Sequence, residues 1–320
     1  MTAVAVTGAA GFVGRALVSE LAARRNDVIR VVRESNSAFC ARSDTSDSRV
    51  VGEIDVNTDW SAALRGVEVV VHCAARAHVM RDPAVDPLAL YREVNVQGTR
   101  RLAEQAVALG VRRLIFLSSV KAAGERSLPD KPLQSSGKPT PEDAYGISKF
   151  EAEQALIEVS AKTGLEVVII RPPLVYGPGV KGNFFRLLSL VARGLPLPLG
   201  SIHNARSMVY LDNLVDFLCT CVTSPTAAGR TYFVSDGEDL STTELIRALA
   251  AAMGRPARLL PVPADILGLL GRLTGQSAEI ERLIGTLQVD ITLNRELGWA
   301  PPFSIEKGLR ETVKWFKSQR

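Results

Sequence analysis

Cysteine, histidine and aromatic residues are all scarce in this chain of 320 residues, and each scarcity removes a class of function. The four cysteines, Cys40, Cys73, Cys219 and Cys221, match no zinc or redox spacing and cannot frame so long a chain with disulfides. Reduced thiols in a cytoplasmic protein are the expectation. The three histidines, His72, His78 and His203, form no ligand cluster, so no metal site is expected. His72 follows three valines and reads as a strand-end packing residue. Aromatics make up only 6% of the residues, and no dense Lys/Arg block interleaves with them, so nothing points to nucleic acid. The net charge of +4 is mild and suits a small anionic ligand. No apolar run approaches the roughly 18 residues that span a bilayer. The most apolar stretch, 259–273, is broken by two prolines, an Asp and an Arg, and reads as a buried or interface helix rather than a stable membrane insertion. The opening MTAVAVTGAAG has no basic segment before an apolar one, so no signal peptide is read. Repeats and low-complexity tracts are absent.

What the chain does have is alternation. AVAVT (3–7), DVIRVV (27–32), VEVVVHCAA (67–75), RLIFLSS (113–119) and LEVVIIRPP (165–173) read as strands. Between them lie helical stretches at 12–25, 92–110 and 144–164, the last two closed by Gly. Buried strands alternating with helices predict an α/β fold, a Rossmann-like doubly wound parallel sheet. After residue 173 Gly and Pro become dense, which marks a second, smaller and partly helical lobe for substrate. The expected division is a dinucleotide-binding domain over 1–172 with a return segment at about 208–236, and a substrate lobe over 173–207 and 237–320. Ser241 and Glu244 form a capping box for a helix over 241–254.

Two motifs carry chemistry. TGAAGFVG places Gly8, Gly11 and Gly14 between the first strand and the first helix. The first Gly permits a tight turn, the second lets a pyrophosphate approach the backbone, and the third lets helix and strand pack closely. The helix N-terminus supplies N–H donors to phosphate. The second motif, YGISK, puts Tyr145 and Lys149 one helical turn apart, on one face. With five tyrosines and nine lysines in 320 positions, chance supplies such a pair roughly 0.14 times, so alone it is only a hint.

Together these motifs resemble the extended short-chain dehydrogenase/reductase family of nucleotide-sugar epimerases, dehydratases and reductases. VHCAA (71–75), Asn95 in VNVQGT, LSS (117–119), RPPLVYGPG (171–179), RSMVYLDNLVD (206–216) and LGW (297–299) extend the resemblance over nearly the whole chain. The resemblance implies a catalytic set of Ser119, Tyr145 and Lys149, with Ser118 as the fallback serine. Tyr145 would exchange the proton at the reacting sugar oxygen. Lys149 would favour tyrosinate and hold the cofactor ribose. Gly8, Gly11, Phe12, Val13 and Gly14, with Glu53, Ile54, Ala74, Ala75 and Pro172, take the family's cofactor-binding places. Asp55 is a second candidate beside Glu53. Val32-Arg33 stands where NAD-binding folds usually carry an acid, which favours NADP(H) and leaves NAD(H) open. Asn183, Arg206 and Arg282 match residues that hold the substrate diphosphate.

Dehydratases of the family have two acids after the reacting hydroxyl residue, whereas Ser119 is followed by Val120 and Lys121. That argues against dehydration. Two reactions remain. One is NAD(P)H-dependent reduction of a UDP-4-keto-6-deoxy-N-acetylhexosamine to UDP-N-acetylquinovosamine, in O-antigen and other surface polysaccharide synthesis. The other is C4 epimerisation of a UDP-hexose or UDP-N-acetylhexosamine on tightly bound NAD. The wording of VHCAARAHVMRD and SSVKAAGE favours the reductase branch. A dinucleotide sensor and a reductase of flavonoid-type ketones are the rival classes. The retained Tyr and Lys argue against the first, and Asn183 and Arg206 against the second. In this family the helices bearing Asn95 and Tyr145 commonly pair two subunits, so a homodimer is expected. Lys121 fits no family role, since epimerases have a small polar residue there.

Overall fold

Val4 and Val6 of the first strand pack on one face of a sheet while Ala5 packs on the other, because side chains alternate along a strand. Both faces are apolar, so both are covered by helices. The computed structural model describes residues 1–34, 47–77, 86–274 and 277–319; Cys40 and His78 lie outside them. The first half runs β1 (Ala3–Thr7), α1 (Phe12–Ala23), β2 (Asp27–Val32), β3 (Ser48–Val50), α2 (Ser61–Leu64), β4 (Val69–His72), α3 (Pro87–Tyr91), α4 (Gly98–Ala108), β5 (Arg113–Leu117), α5 (Ala144–Thr163) and β6 (Glu166–Arg171). The second half runs β7 (Leu174–Tyr176), α6 (Gly182–Arg193), β8 (Arg206–Tyr210), α7 (Leu211–Thr223), β9 (Thr231–Phe233), β10 (Asp239–Leu240), α8 (Thr242–Ala252), α9 (Ala264–Thr274), α10 (Ser277–Ile284) and α11 (Ile305–Ser318).

The main sheet has seven parallel strands in the order β3-β2-β1-β4-β5-β6-β9. The chain leaves β1 to one side and returns to pair β4 on the other. That reversal opens a crevice at the carboxyl ends of β1 and β4, where doubly wound sheets bind ligands. α1 and α7 cover one face; α2, α4 and α5 cover the other.

A second core gathers Tyr176, Phe184, Leu188, Met208, Tyr210, Ile246, Leu249, Leu309 and Phe316. Over it lies a three-stranded sheet in the order β10-β8-β7. β8 pairs with β7 and bridges the two cores: Met208 and Tyr210 enter the second, while Val209 packs under the main sheet. Gly308 of α11 makes this packing possible. A Cβ there would stand 2.6 Å from the Tyr176 hydroxyl and 2.8 Å from the Tyr210 ring. Of α9, Leu267 is buried, while Ile266, Leu269 and Leu273 are exposed. Among the described residues no helix is long and apolar enough to cross a membrane.

The single helix expected over 92–110 is instead interrupted. Residues Arg92–Gln97 form a π-helical turn between α3 and α4. Such turns mark sites where a side chain is redirected. Here the buried one is Asn95.

Candidate active site

The glycine turn is built by contacts that forbid side chains. Gly8 has φ +65°, a region that costs an L-residue energy, and a Cβ there would meet the Ala74 nitrogen at 2.7 Å. The Gly11 N–H donates to the Gly8 carbonyl at 2.8 Å and closes the turn. A Cβ on Gly14 would lie 2.2 Å from the Gly8 oxygen. Side chains are thus excluded at Gly8 and Gly14 and crowded at Gly11, where backbone must approach a pyrophosphate at the start of α1, so the cradle fits a dinucleotide. Phe12 and Val13, half-buried, open α1. Ala74 is fixed by donating its N–H to the Thr7 hydroxyl at 3.3 Å, Ala75 is exposed beside it, and the Pro172 carbonyl accepts from the Val120 N–H at 2.9 Å.

At the far end of this crevice Arg33 pairs with Glu53 at 3.3 Å, both side chains largely exposed. Ile54 packs against Gly98, where a Cβ would meet it at 2.5 Å. Asp55 is occupied within its own turn, accepting from the Asn57 N–H at 2.7 Å.

Tyr145, Ser119 and Lys149 come together at the carboxyl ends of β4, β5 and β6. Asp143 caps α5, accepting the Gly146 N–H at 2.7 Å, and so fixes the helix turn that presents Tyr145. The Tyr145 hydroxyl lies close enough to Ser119 for that side chain to act on it. Burial pushes the Tyr145 phenol well above its ordinary value, and Asp143 and Tyr91 push in the same direction, while Ser119 opposes them. Lys149 is buried at 1% exposure; its ammonium donates to the Leu117 carbonyl at 2.6 Å and lies 3.9 Å from the Phe116 ring centre. Burial pulls its pKa down to about 7, against the pull of Glu153. The fallback, Ser118, is excluded by its surroundings. It is 4% exposed and donates to Glu153, which in turn forms a buried ion pair with Arg171 at 2.5 Å. His72 sits between the hydroxyls of Thr7, at 2.7 Å, and Thr99, at 3.1 Å, stacked on Phe116. Burial lowers its pKa to about 3, so it stays neutral.

Arg206 and Arg282 converge from β8 and α10. Arg206 is partly buried and donates to the Gly285 carbonyl at 2.9 Å. Burial lowers its pKa, Glu125 raises it and Arg282 lowers it, which places the three charges together. Arg282 stands 3.9 Å from Glu125. Asn183 is exposed in the first turn of α6. Among the described residues no group of three or more His, Cys, Asp or Glu could hold a metal ion.

Three features escaped the sequence reading. Asn95 clamps the strand end by accepting the Arg76 N–H at 2.9 Å, donating to the Arg76 carbonyl at 3.1 Å, and donating to Ser148 at 3.0 Å. The Ser118–Glu153–Arg171 cluster ties β5, α5 and β6 together. Lys121 is bound to both Glu125, at 2.8 Å, and Asp143. Asn95 had a signal, its place in VNVQGT, and Lys121 and Glu125 stand four residues apart; Asp143 and the Ser118–Glu153–Arg171 cluster bring in residues distant in sequence.

The NAD dependent epimerase/dehydratase family matches residues 4–235, and the chain belongs to it. It is 47% identical over 313 residues to a UDP-glucose 4-epimerase of Vibrio cholerae, covering 97% of this chain and 94% of that one. It is 30% identical over 327 residues to an N-acetyl-alpha-D-glucosaminyl-diphospho-ditrans,octacis-undecaprenol 4-epimerase of Escherichia coli O157:H7, covering 98% and 94%. The fold matches the UDP-glucuronic acid 4-epimerase of Bacillus cereus in complex with NAD, with a TM-score of 0.79, 21% identity and 99% of both chains covered. These relatives support the epimerase alternative and give the 4-keto-sugar reductase reading no support.

Proposed function

We propose that the protein is a 4-epimerase of a UDP-hexose or UDP-N-acetylhexosamine that works on tightly bound NAD. The observation that carries this reading is the similarity to a UDP-glucose 4-epimerase along 97% of the chain. The site chemistry agrees with it. Neither carboxylate near Ser119 is a free acid for dehydration, because Glu125 and Asp143 are both bound by Lys121.

In this reading Gly8, Gly11 and Gly14 leave the backbone open to the pyrophosphate, Phe12 and Val13 begin the helix that faces it, and Ala74, Ala75 and Pro172 line the crevice. NAD, when bound, supplies the hydride acceptor for C4 and gives the hydride back. Ser119 holds the sugar O4. Tyr145 takes the O4 proton as the ketone forms and returns it as the alcohol re-forms. A phenol raised by burial gives up its proton reluctantly, so a cation must act on it; Lys149, one turn away, is the residue assigned to supply that charge in its protonated form. Arg206, Arg282 and Asn183 hold the diphosphate, so the sugar can present either face to the same tyrosine.

NAD is preferred over NADP because Arg33 is already paired with Glu53. A 2′-phosphate would bring two negative charges beside that carboxylate. The pair is exposed and worth about 0–1 kcal/mol, so a single change should alter the preference. Glu53→Gln is expected to tighten NADP binding several-fold in calorimetric titration and to leave NAD affinity nearly unchanged. In the same assay Gly14→Ala should show no binding of either dinucleotide, since its methyl would overlap the Gly8 carbonyl.

The deciding experiment incubates the purified protein with UDP-N-acetylglucosamine, and separately with UDP-glucose, with no added nicotinamide. Conversion to the C4 epimer without net change in nicotinamide absorbance is expected. Stoichiometric NAD(P)H oxidation with a UDP-4-keto-6-deoxy sugar, and no epimer, would overturn the reading in favour of the reductase.

A further inference from the structure

The charges between the two ends of the site are arranged against the chemistry asked of them. At one end Glu125, 16% exposed, faces Arg206 and Arg282, the two arginines that the proposed function assigns to the diphosphate. At the other end Asp143 lies two residues before Tyr145 and acts on its hydroxyl. Each carboxylate has the wrong sign for its neighbour: one competes with a diphosphate, the other opposes a tyrosinate. The cation bound to both is Lys121, two residues after Ser119 and 27% exposed, at 2.8 Å from Glu125 and also bonded to Asp143.

Resting on that reading of the site, we propose that Lys121 is a positioning residue that draws Glu125 into a shared ion pair beside the diphosphate arginines and neutralises Asp143 beside Tyr145, so that one side chain supports both substrate binding and proton transfer. Its aliphatic stem has the length to bridge two acids, which a small hydroxyl residue lacks. Burial pushes the Asp143 carboxyl up, but the bonds from Lys121 and from the Gly146 N–H outweigh it and hold Asp143 charged below the ordinary carboxylate range. Asp143, which Glu125 also contacts, is thereby biased toward its charged form, and Lys121 is the cation bonded to it.

The other groups around Tyr145 do not duplicate this role. Lys149 is directed to the Leu117 carbonyl. From the segment after β4 and from α3, the Arg76 guanidinium lies 5.6 Å from the Tyr91 ring, whose own centre is 6.0 Å from that of Tyr145. From the π-helical turn, Arg92 is taken by Glu151 at 2.6 Å. Beyond Glu125, Arg126 is taken by Glu281 at 2.9 Å.

The test is Lys121→Met. With Asp143 unbalanced, the Tyr145 phenol holds its proton to higher pH, so the acid limb of kcat should move up by about one pH unit. With Glu125 no longer shared with Lys121 and left to the arginines alone, the KM for the UDP-sugar and the Kd for UDP should rise about tenfold, a loss of ground-state binding separable from kcat. Lys121→Arg should restore both. Adding Asp143→Asn, which still caps the helix, should restore the pH limb alone. Adding Glu125→Gln should restore UDP affinity alone. A loss of rate equal at every pH, with UDP affinity unchanged, would overturn the proposal.

One readout needs no turnover. Ultraviolet difference titration of the NAD-bound protein against Tyr145→Phe follows this tyrosinate directly, and an unmoved midpoint in Lys121→Met likewise overturns the proposal. Should the wild type interconvert no UDP-sugar, the epimerase reading fails by itself, while UDP affinity and the tyrosinate midpoint still decide the role of Lys121.

Discussion

Tyr145→Phe is expected to slow C4 interconversion by about 10²- to 10⁴-fold, the usual contribution of a positioned acid–base group. The ring is retained, so its edge-on contact with Tyr91, at 6.0 Å between centres, and the packing of α5 should survive. Only the hydroxyl beside Ser119 is lost. NAD and UDP affinities should therefore stay within about twofold, and the loss should appear in kcat rather than KM. Ser119→Ala is expected to lose less, because it removes a hydrogen bond to O4 and leaves the proton carrier in place. Equal rates for wild type and Tyr145→Phe would mean that the proton leaves by another group and would remove the assignment.

The largest effect on stability is expected from Arg171→Met. Arg171 and Glu153, 4% and 1% exposed, form a bidentate pair with contacts of 3.0 and 2.5 Å, and Ser118 donates to the same carboxylate. Removing the arginine strands a buried charge and should cost about 3–5 kcal/mol. For a chain of this length that corresponds to a fall in Tm of roughly 4–7 °C in a thermal scan. The double variant Arg171→Met, Glu153→Leu should recover most of the loss, since a buried pair replaced by apolar side chains of similar size is often neutral or better. A single variant melting within about 2 °C of the wild type would show that the pair is not buried as described. Because Glu153 lies on α5, two turns beyond Tyr145, the single variant should also reduce activity at temperatures well below its Tm.

By itself the sequence determined the alternating layout and the place of the dinucleotide cradle. Strand hydrophobicity, helix-closing glycines and the Gly8, Gly11 and Gly14 spacing are local signals, each produced by the backbone needs of one turn or one element. The Ser241 capping box appeared as expected for the same reason: it joins residues three apart. The Tyr145 and Lys149 pair was visible as one helical turn, but its electrostatics were not. The burial that pushes the phenol up and the lysine down exists only after β4, β5 and α5 have packed together. Wording alone favoured reduction, whereas the relatives support the epimerase alternative; residue types do not separate the two reactions, since both use the same Ser, Tyr and Lys. The Arg33–Glu53 pair, on which the proposed cofactor preference rests, joins residues 20 apart. The π-helical turn, the Ser118–Glu153–Arg171 cluster and the bond from Lys121 to Asp143 were decided by tertiary structure alone. Burial makes an unpaired charge costly, so partners from distant strands and helices are drawn together, and no spacing along the chain records that pairing.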